Sequence, residues 1–229
     1  MPAPLARRLL AEALGTGLLV TVVVGSGIAA SRLSPQDTGL QLLQNSTATA
    51  LGLTVLILLV GPVSGAHLNP VVSAADWLVG RRSGTGLPGR DLAPYALAQT
   101  AGAIAGAELA NLMYGVSPAN LATTERSAVG LWVGEIVATA GLVVLVLALV
   151  RTGRTVLAAP AVGAYIGAAY WFTSSTSFAN PAVTVGRVFS DTFAGIAPSS
   201  VPAFVLAQVV GAAVGLVLAL ALYPARSPA

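Results

Sequence analysis

The chain has 229 residues, of which 55% are hydrophobic and 8% are charged, about a third of the charge that soluble domains carry. With a mean hydropathy of +0.83 it has too few charges to coat a water-facing surface, and a lipid bilayer is the solvent that suits it. The absence of cysteine and the single histidine, His67, exclude a disulfide framework, a cysteine nucleophile and a transition-metal cluster, and no metal or cofactor is expected.

Six runs approach the length of about 20 apolar residues that a spanning helix needs: 7–31, 44–63, 91–114, 127–150, 154–174 and 200–223. Turn-rich segments such as Ser31–Asp37 and Ser117–Arg126 separate them. The first run opens with Arg7-Arg8 and closes on Ala29-Ala30-Ser31, the outline of a cleavable signal. It is too long for that and carries Glu12, so it reads as a span. All eleven basic residues are arginines, placed near the ends of apolar runs, where they set topology rather than form a nucleic-acid surface. Arg7, Arg8, Arg81, Arg82, Arg90, Arg151, Arg154 and Arg226 fall on one side, against Arg32, Arg126 and Arg187 on the other. Both termini are therefore expected in the cytoplasm. The short loops and the lack of a targeting extension suit a bacterial inner membrane.

The two halves of the chain repeat one another. AQTAGAIAG at 98–106 matches AQVVGAAVG at 207–215, and Glu12 in AEALGTG matches Glu135 in GEIVATAG. SGAHLNPVVS at 64–73 matches SFANPAVT at 177–184. Glutamate, Asn-Pro and Gln-x-x-Gly follow in the same order each time. Each half holds three spans, an odd number, so the second enters the membrane upside down and the functional site lies near the midplane. The expected fold is an all-α membrane protein with six transmembrane helices and two re-entrant half-helices in an inverted 3+3 repeat. It would form a single channel domain over 1–229, with repeat one at about 1–115 and repeat two at about 125–229.

Asn69-Pro70-Val71 and Asn180-Pro181-Ala182 each introduce about ten residues that can be helical. Ten residues reach about 15 Å, half the hydrocarbon core. Asn is a preferred N-cap and Pro suits the first helical position, so each pair starts a half-helix abruptly. Two such starts meeting at one depth place positive helix ends together, a barrier to cations and excess protons that neutral molecules can pass. Each Asn amide is expected to be free to donate to a passing oxygen. The backbone of Gly65–Leu68 and Ser174–Ala179 is expected to be extended and to offer a ladder of carbonyls.

Two Asn-Pro boxes between spans 2–3 and 5–6 of an inverted repeat, with SGAHLNP as the first, make the chain resemble the major intrinsic protein (aquaporin) family over essentially its whole length. The resemblance implies a passive channel for water or small uncharged solutes, a homotetramer with one pore per protomer, and no enzymatic activity. It makes Glu12 and Glu135 buried acceptors that brace the half-helix loops, with Gln99 and Gln208 as structural partners. The alternative is a proton-coupled secondary transporter that uses the two glutamates. A hydrolase would need serine with histidine or lysine, or paired carboxylates; there is no lysine, and His67 lies inside the first box. His67 matches a family pore position, with lining and packing both open. Glu108 suggests a pairing with Asn111 or an outer arginine.

Carried over from the family, the outer constriction comprises Thr49, Ser177, Val183 and, on span 5, Ala168 or its competitor Tyr170. The usual family pattern has arginine directly after the second box, where this chain has Val183. A ring of Thr49, Ala168, Ser177 and Val183 would be small, uncharged and wider than a strict water filter. It would admit polyols or neutral metalloid acids. Arg187, one turn beyond Val183, is either a displaced arginine at the pore mouth or an interfacial anchor paired with Asp191. The run SFANPAVTVGRVFSDTFAGI resembles a bacterial subgroup associated with arsenical permeation, which implies neutral arsenite as a substrate.

Overall fold

The computed structural model describes residues 3–81, 84–118 and 120–224; Arg82 and Arg226, used above for topology, lie outside them. The regular structure among the described residues is helical: α1 (Leu5–Leu33), α2 (Thr38–Ser64), α3 (Pro70–Gly80), α4 (Leu92–Met113), α5 (Val129–Arg151), α6 (Ala158–Phe172), α7 (Pro181–Gly186) and α8 (Val201–Leu222). An isolated bridge joins Asn120 to Ser190. α1–α4 and α5–α8 are the two copies of the repeat.

Among the described residues, five helices are long and apolar enough to cross a membrane: α1, α2, α5, α6 with its preceding turn, and α8 with its preceding turn. The sixth expected span, α4, has 22 residues, enough length, but its sequence is rich in alanine and glycine with Gln99, Glu108 and Asn111 interspersed. Its small residues serve contact instead of hydropathy. A Cβ placed on Gly106 would lie 2.0 Å from the Gly17 carbonyl oxygen, and one on Gly102 would lie 2.1 Å from that of Ala13. The second repeat uses the same device where α8 crosses α5: a Cβ on Gly211 would lie 2.5 Å from the Ile136 carbonyl oxygen. Backbones this close gain dispersion and exclude lipid where larger residues could not approach.

Local chemistry sets the helix ends. The Asp37 carboxylate caps α2 by accepting from the Leu40 amide at 2.8 Å, and α2 stops at Gly65, whose φ of 91° is a left-handed C-cap. Asn69 caps α3 through the Val71 amide, and Asn180 caps α7 through the amides of Ala182 and Val183, each with proline next in the chain. The half-helices are unequal. α3 has 11 residues, as expected, but α7 has 6 and passes into a 3-10 turn at Arg187–Phe189.

Candidate pore

Glu12 and Glu135 are completely buried and each holds the loop ahead of a half-helix. Glu12 accepts from the amides of His67 (3.0 Å) and Leu68 (2.7 Å), from Ser64 Oγ (2.6 Å) and from Gln99 Nε2 (2.7 Å). Glu135 accepts from the amides of Phe178 and Ala179, both at 2.8 Å, and from Gln208 Nε2 at 2.6 Å. The amides of Gln99 and Gln208 also reach Ser73 Oγ and Thr184 Oγ1, and these hydroxyls in turn donate to the carbonyls of Asn69 and Asn180. Neither glutamate lines the cavity described below. Both carboxylates are occupied by fixed backbone donors and withdrawn from the cavity, a geometry that favours bracing over proton coupling for Glu12 and Glu135.

The loops themselves differ from expectation. Instead of an extended run, Gly65, Ala66 and Leu68 and then Thr176, Ser177 and Ala179 take positive φ, with Leu68 at 51° and Ala179 at 49°. Such angles are costly for residues with a Cβ and persist here because the glutamates fix the amides. Turning successive N–H groups toward the glutamates leaves carbonyls for the other side. Those of Gly65, Ala66, His67, Ser177 and Phe178 accept no hydrogen bond from the described residues, and these five residues line a cavity.

The Asn amides are not wholly free either. Asn69 Nδ2 donates to the Ala179 carbonyl and Asn180 Nδ2 to the Leu68 carbonyl, both at 2.7 Å. This reciprocal pair stitches the two half-helix starts together across the pseudo-two-fold axis. A carboxamide nitrogen has two N–H groups, so each Asn retains one. Both side chains border a cavity of ≈ 530 Å³, which extends between the half-helices from Thr155 and Val156, past both boxes, to Thr49, Val183 and Arg187.

The structure places the carried-over constriction residues unevenly. Thr49, Ser177 and Val183 border the cavity, whereas Ala168 lies exposed on the opposite side of α6. The helical period explains the correction: Val162, Ile166 and Tyr170 share one face, and Tyr170 occupies the wall, its hydroxyl 3.2 Å from Thr49 Oγ1. Arg187 also corrects the expected uncharged ring. It is 2% exposed, its Nε donates to the Ala194 carbonyl, and its guanidinium carbon lies 3.4 Å from the centroid of the Phe178 ring. It borders the cavity and does not pair with Asp191, whose carboxylate accepts from the backbone and hydroxyl of Thr123. The Phe178 ring stacks edge-on against Phe204, so the cation rests on an aromatic platform. Asn111, the suggested partner of Glu108, instead donates to the Phe189 carbonyl and accepts from Ser190 Oγ.

His67 both lines the cavity and packs: its ring centroid is 5.6 Å from that of Tyr95, and Nδ1 is 3.1 Å from Ser73 Oγ. Sequence reasoning missed Ser64, Ser73, Thr184 and Asp76. The first three sit inside the matched repeat segments or beside them, and the pairing of Ser73 with Thr184 was visible there. Asp76 has a signal too. The register that sets Asn69 on Asn180 sets Val72 on Val183 and Asp76 on Arg187.

A cavity threaded between two half-helix starts, inside a bundle of apolar helices, is the architecture of a membrane channel for small molecules. The sequence model described as Major intrinsic protein matches residues 2–179, and the chain belongs to that family: it is a multi-pass membrane channel and not an enzyme. It is 51% identical to aquaglyceroporin AqpS of Rhizobium meliloti over 93% of this chain and 89% of the relative. It is 33% identical to aquaporin Z of Brucella melitensis over 92% of this chain and 95% of the relative. A glycerol uptake facilitator protein of Pseudomonas aeruginosa is 41% identical over 46% of this chain and 35% of its own length. The X-ray structure of the aquaglyceroporin from Plasmodium falciparum superposes with a TM-score of 0.70 at 21% identity, covering 96% of each chain, a likeness of fold.

Proposed function

We propose that the protein conducts water and uncharged solutes of glycerol size, passively, through the cavity between α3 and α7. The observation that carries this reading is that both Asn69 and Asn180 border one continuous cavity of ≈ 530 Å³, each with an N–H to spare, beside carbonyls that lack protein donors. A hydroxyl solute can then exchange its water hydrogen bonds for fixed ones, which keeps the cost of dehydration low. The names of the relatives, aquaglyceroporin and glycerol uptake facilitator, point the same way.

The selectivity constriction on this reading is Thr49, Tyr170, Ser177, Val183 and Arg187. Valine after the second box leaves room where an arginine would intrude, while Arg187 supplies fixed donors from one turn further along. Neutral metalloid acids such as arsenite have the hydroxyl chemistry and size to follow glycerol. Cations and excess protons are opposed by the half-helix N-termini, chiefly that of α3, the longer of the two. The arginine distribution supports cytoplasmic termini, and the bacterial aquaglyceroporin relative supports a bacterial inner membrane. The contacts agree with that grouping: Arg8 meets Asp91 at 2.8 Å and Arg151 donates to the Tyr223 carbonyl, while Arg32 reaches the Tyr114 carbonyl at the opposite ends of α1 and α4. Arg187 leaves the topology count because it is buried at the constriction. A homotetramer is part of the proposal, and crosslinking in detergent checks it.

Stopped-flow light scattering on proteoliposomes tests the function with water, glycerol and arsenite gradients. Wild-type flux should rise linearly with gradient for all three. Val183→Arg should lower glycerol permeability by roughly tenfold, the equivalent of ~1.4 kcal/mol, with water flux largely kept. Unchanged solute selectivity in Arg187→Ala would remove Arg187 from the constriction.

A further inference from the structure

Asp76 and Arg187 are equivalents in the repeat, each one helical turn beyond the valine that follows its box, and both border the cavity. The cavity thus carries a guanidinium toward its α7 end and a carboxylate toward its α3 end. A guanidinium only donates hydrogen bonds and a carboxylate only accepts them. Arg187 belongs to the constriction already described; Asp76 has no assigned role.

One of the Asp76 oxygens is accounted for. Oδ2 accepts from the Leu87 amide at 2.6 Å and so ties down the segment after α3. Oδ1 takes no hydrogen bond from the described residues, and none of their arginine nitrogens comes within 4.0 Å of the carboxylate. Arg81, the nearest of them in sequence, lies over the Trp77 ring instead. The Asp76 side chain is 29% exposed and that of His67 12%. Nε2 of His67 lies 3.8 Å from Oδ2, too long for a direct hydrogen bond. Its Nδ1, near Ser73 Oγ, and its contact with Tyr95 hold the ring in place. A carboxylate acceptor and an imidazole nitrogen are therefore presented side by side to the cavity without satisfying each other. A loop tether alone would require neither the second oxygen nor the neighbouring imidazole.

The geometry points to Asp76 and His67 as a second recognition station, at the α3 end of the cavity, for uncharged solutes that carry adjacent hydroxyl groups. One hydroxyl donates to Asp76 while its neighbour exchanges a hydrogen bond with His67 Nε2. A polyol satisfies both this acceptor station and the donors of Arg187, because each of its hydroxyls can donate and accept. A single water has one oxygen and cannot span the pair in the same way. The station consequently favours glycerol over water. It rests on the cavity being the permeation path.

The test uses the full chain in proteoliposomes and reads the ratio of glycerol to water permeability. Asp76→Asn keeps an oxygen for the Leu87 amide and removes the charge. We expect it to lower that ratio by roughly tenfold, the factor for losing one charge-assisted hydrogen bond, and Asp76→Glu to recover part of it. A wild-type ratio in Asp76→Asn overturns the station and leaves the channel reading intact. So does a loss confined to folded yield in Asp76→Ala with Asp76→Asn behaving as wild type, which assigns Asp76 to the loop tether alone. Wild-type vesicles no more permeable than empty ones would overturn the permeation path and the station with it.

Discussion

Glu135 meets the amides of Phe178 and Ala179, two donors that the fold turns inward and that find no other acceptor. An unsatisfied buried N–H costs about 1–3 kcal/mol, so Glu135→Ala should lower stability by roughly 3–5 kcal/mol, read as a drop in the thermal unfolding midpoint in detergent. Gln208, left without its carboxylate, adds to that cost. Glu12→Ala should be at least as damaging, since Glu12 also serves Ser64 and Gln99. A variant of either glutamate that melts like the wild type would refute the bracing account. The rings beside the boxes show how a repeat diverges residue by residue. His67 with Tyr95 in one half corresponds to Phe178 with Phe204 in the other, so one half presents an imidazole where the other presents a platform for Arg187.

Among the helices, α1 with α4 and α5 with α8 are the tightest pairs, and glycine determines how closely they approach. A side chain at Gly106 must displace the α1 backbone itself, since the obstacle is the Gly17 carbonyl oxygen. Gly106→Leu should therefore leave little folded protein by size-exclusion chromatography, and Gly211→Leu likewise. Gly130 is the control: the nearest atom to a Cβ there is Ser174 Oγ at 3.9 Å, so Gly130→Ala should behave as wild type. Equal yields for Gly106→Leu and Gly130→Ala would mean that the crossings tolerate separation. α7 shows the limit of reading an element from its start signal. Asn180-Pro181 announces a helix as strongly as Asn69-Pro70 does, yet the helix lasts 6 residues. Its far end is taken over by tertiary bonds: Asn111 to Phe189 and Ser190, and Asn120 to Asp191.

For the whole molecule, two copies in opposite senses enclose the cavity that the proposed function takes as the path. Flux should be blind to an imposed proton gradient, since the fully buried glutamates among the described residues are occupied by backbone amides away from the cavity. Glycerol counterflow in vesicles with and without a pH step checks this, and uphill accumulation driven by protons would restore the transporter alternative.

The half-helix starts were legible in the chain because Asn-Pro capping is a local rule, and the repeat was legible in three matched segments. The expense of a carboxylate in lipid singled out Glu12 and Glu135, while their bracing role came only with the family resemblance, beside a proton-coupling alternative. All six spans were read from apolar length, α4 as the run 91–114, although five helices reach a spanning hydropathy among the described residues and the small residues of α4 report contact more than apolarity. The path's wall was another matter. Whether Ala168 or Tyr170 faces inward turns on the rotation of α6 against α2, and the destination of the Arg187 side chain turns on the Phe178 ring and the Ala194 carbonyl, groups brought close only when the helices pack. Sequence alone determined where two half-helices would start, through caps made within a few residues, and the inverted repeat implied that the starts would face each other. Tertiary packing decided which side chains surround the place where they meet, because helix rotation and side-chain reach depend on neighbours distant in the chain.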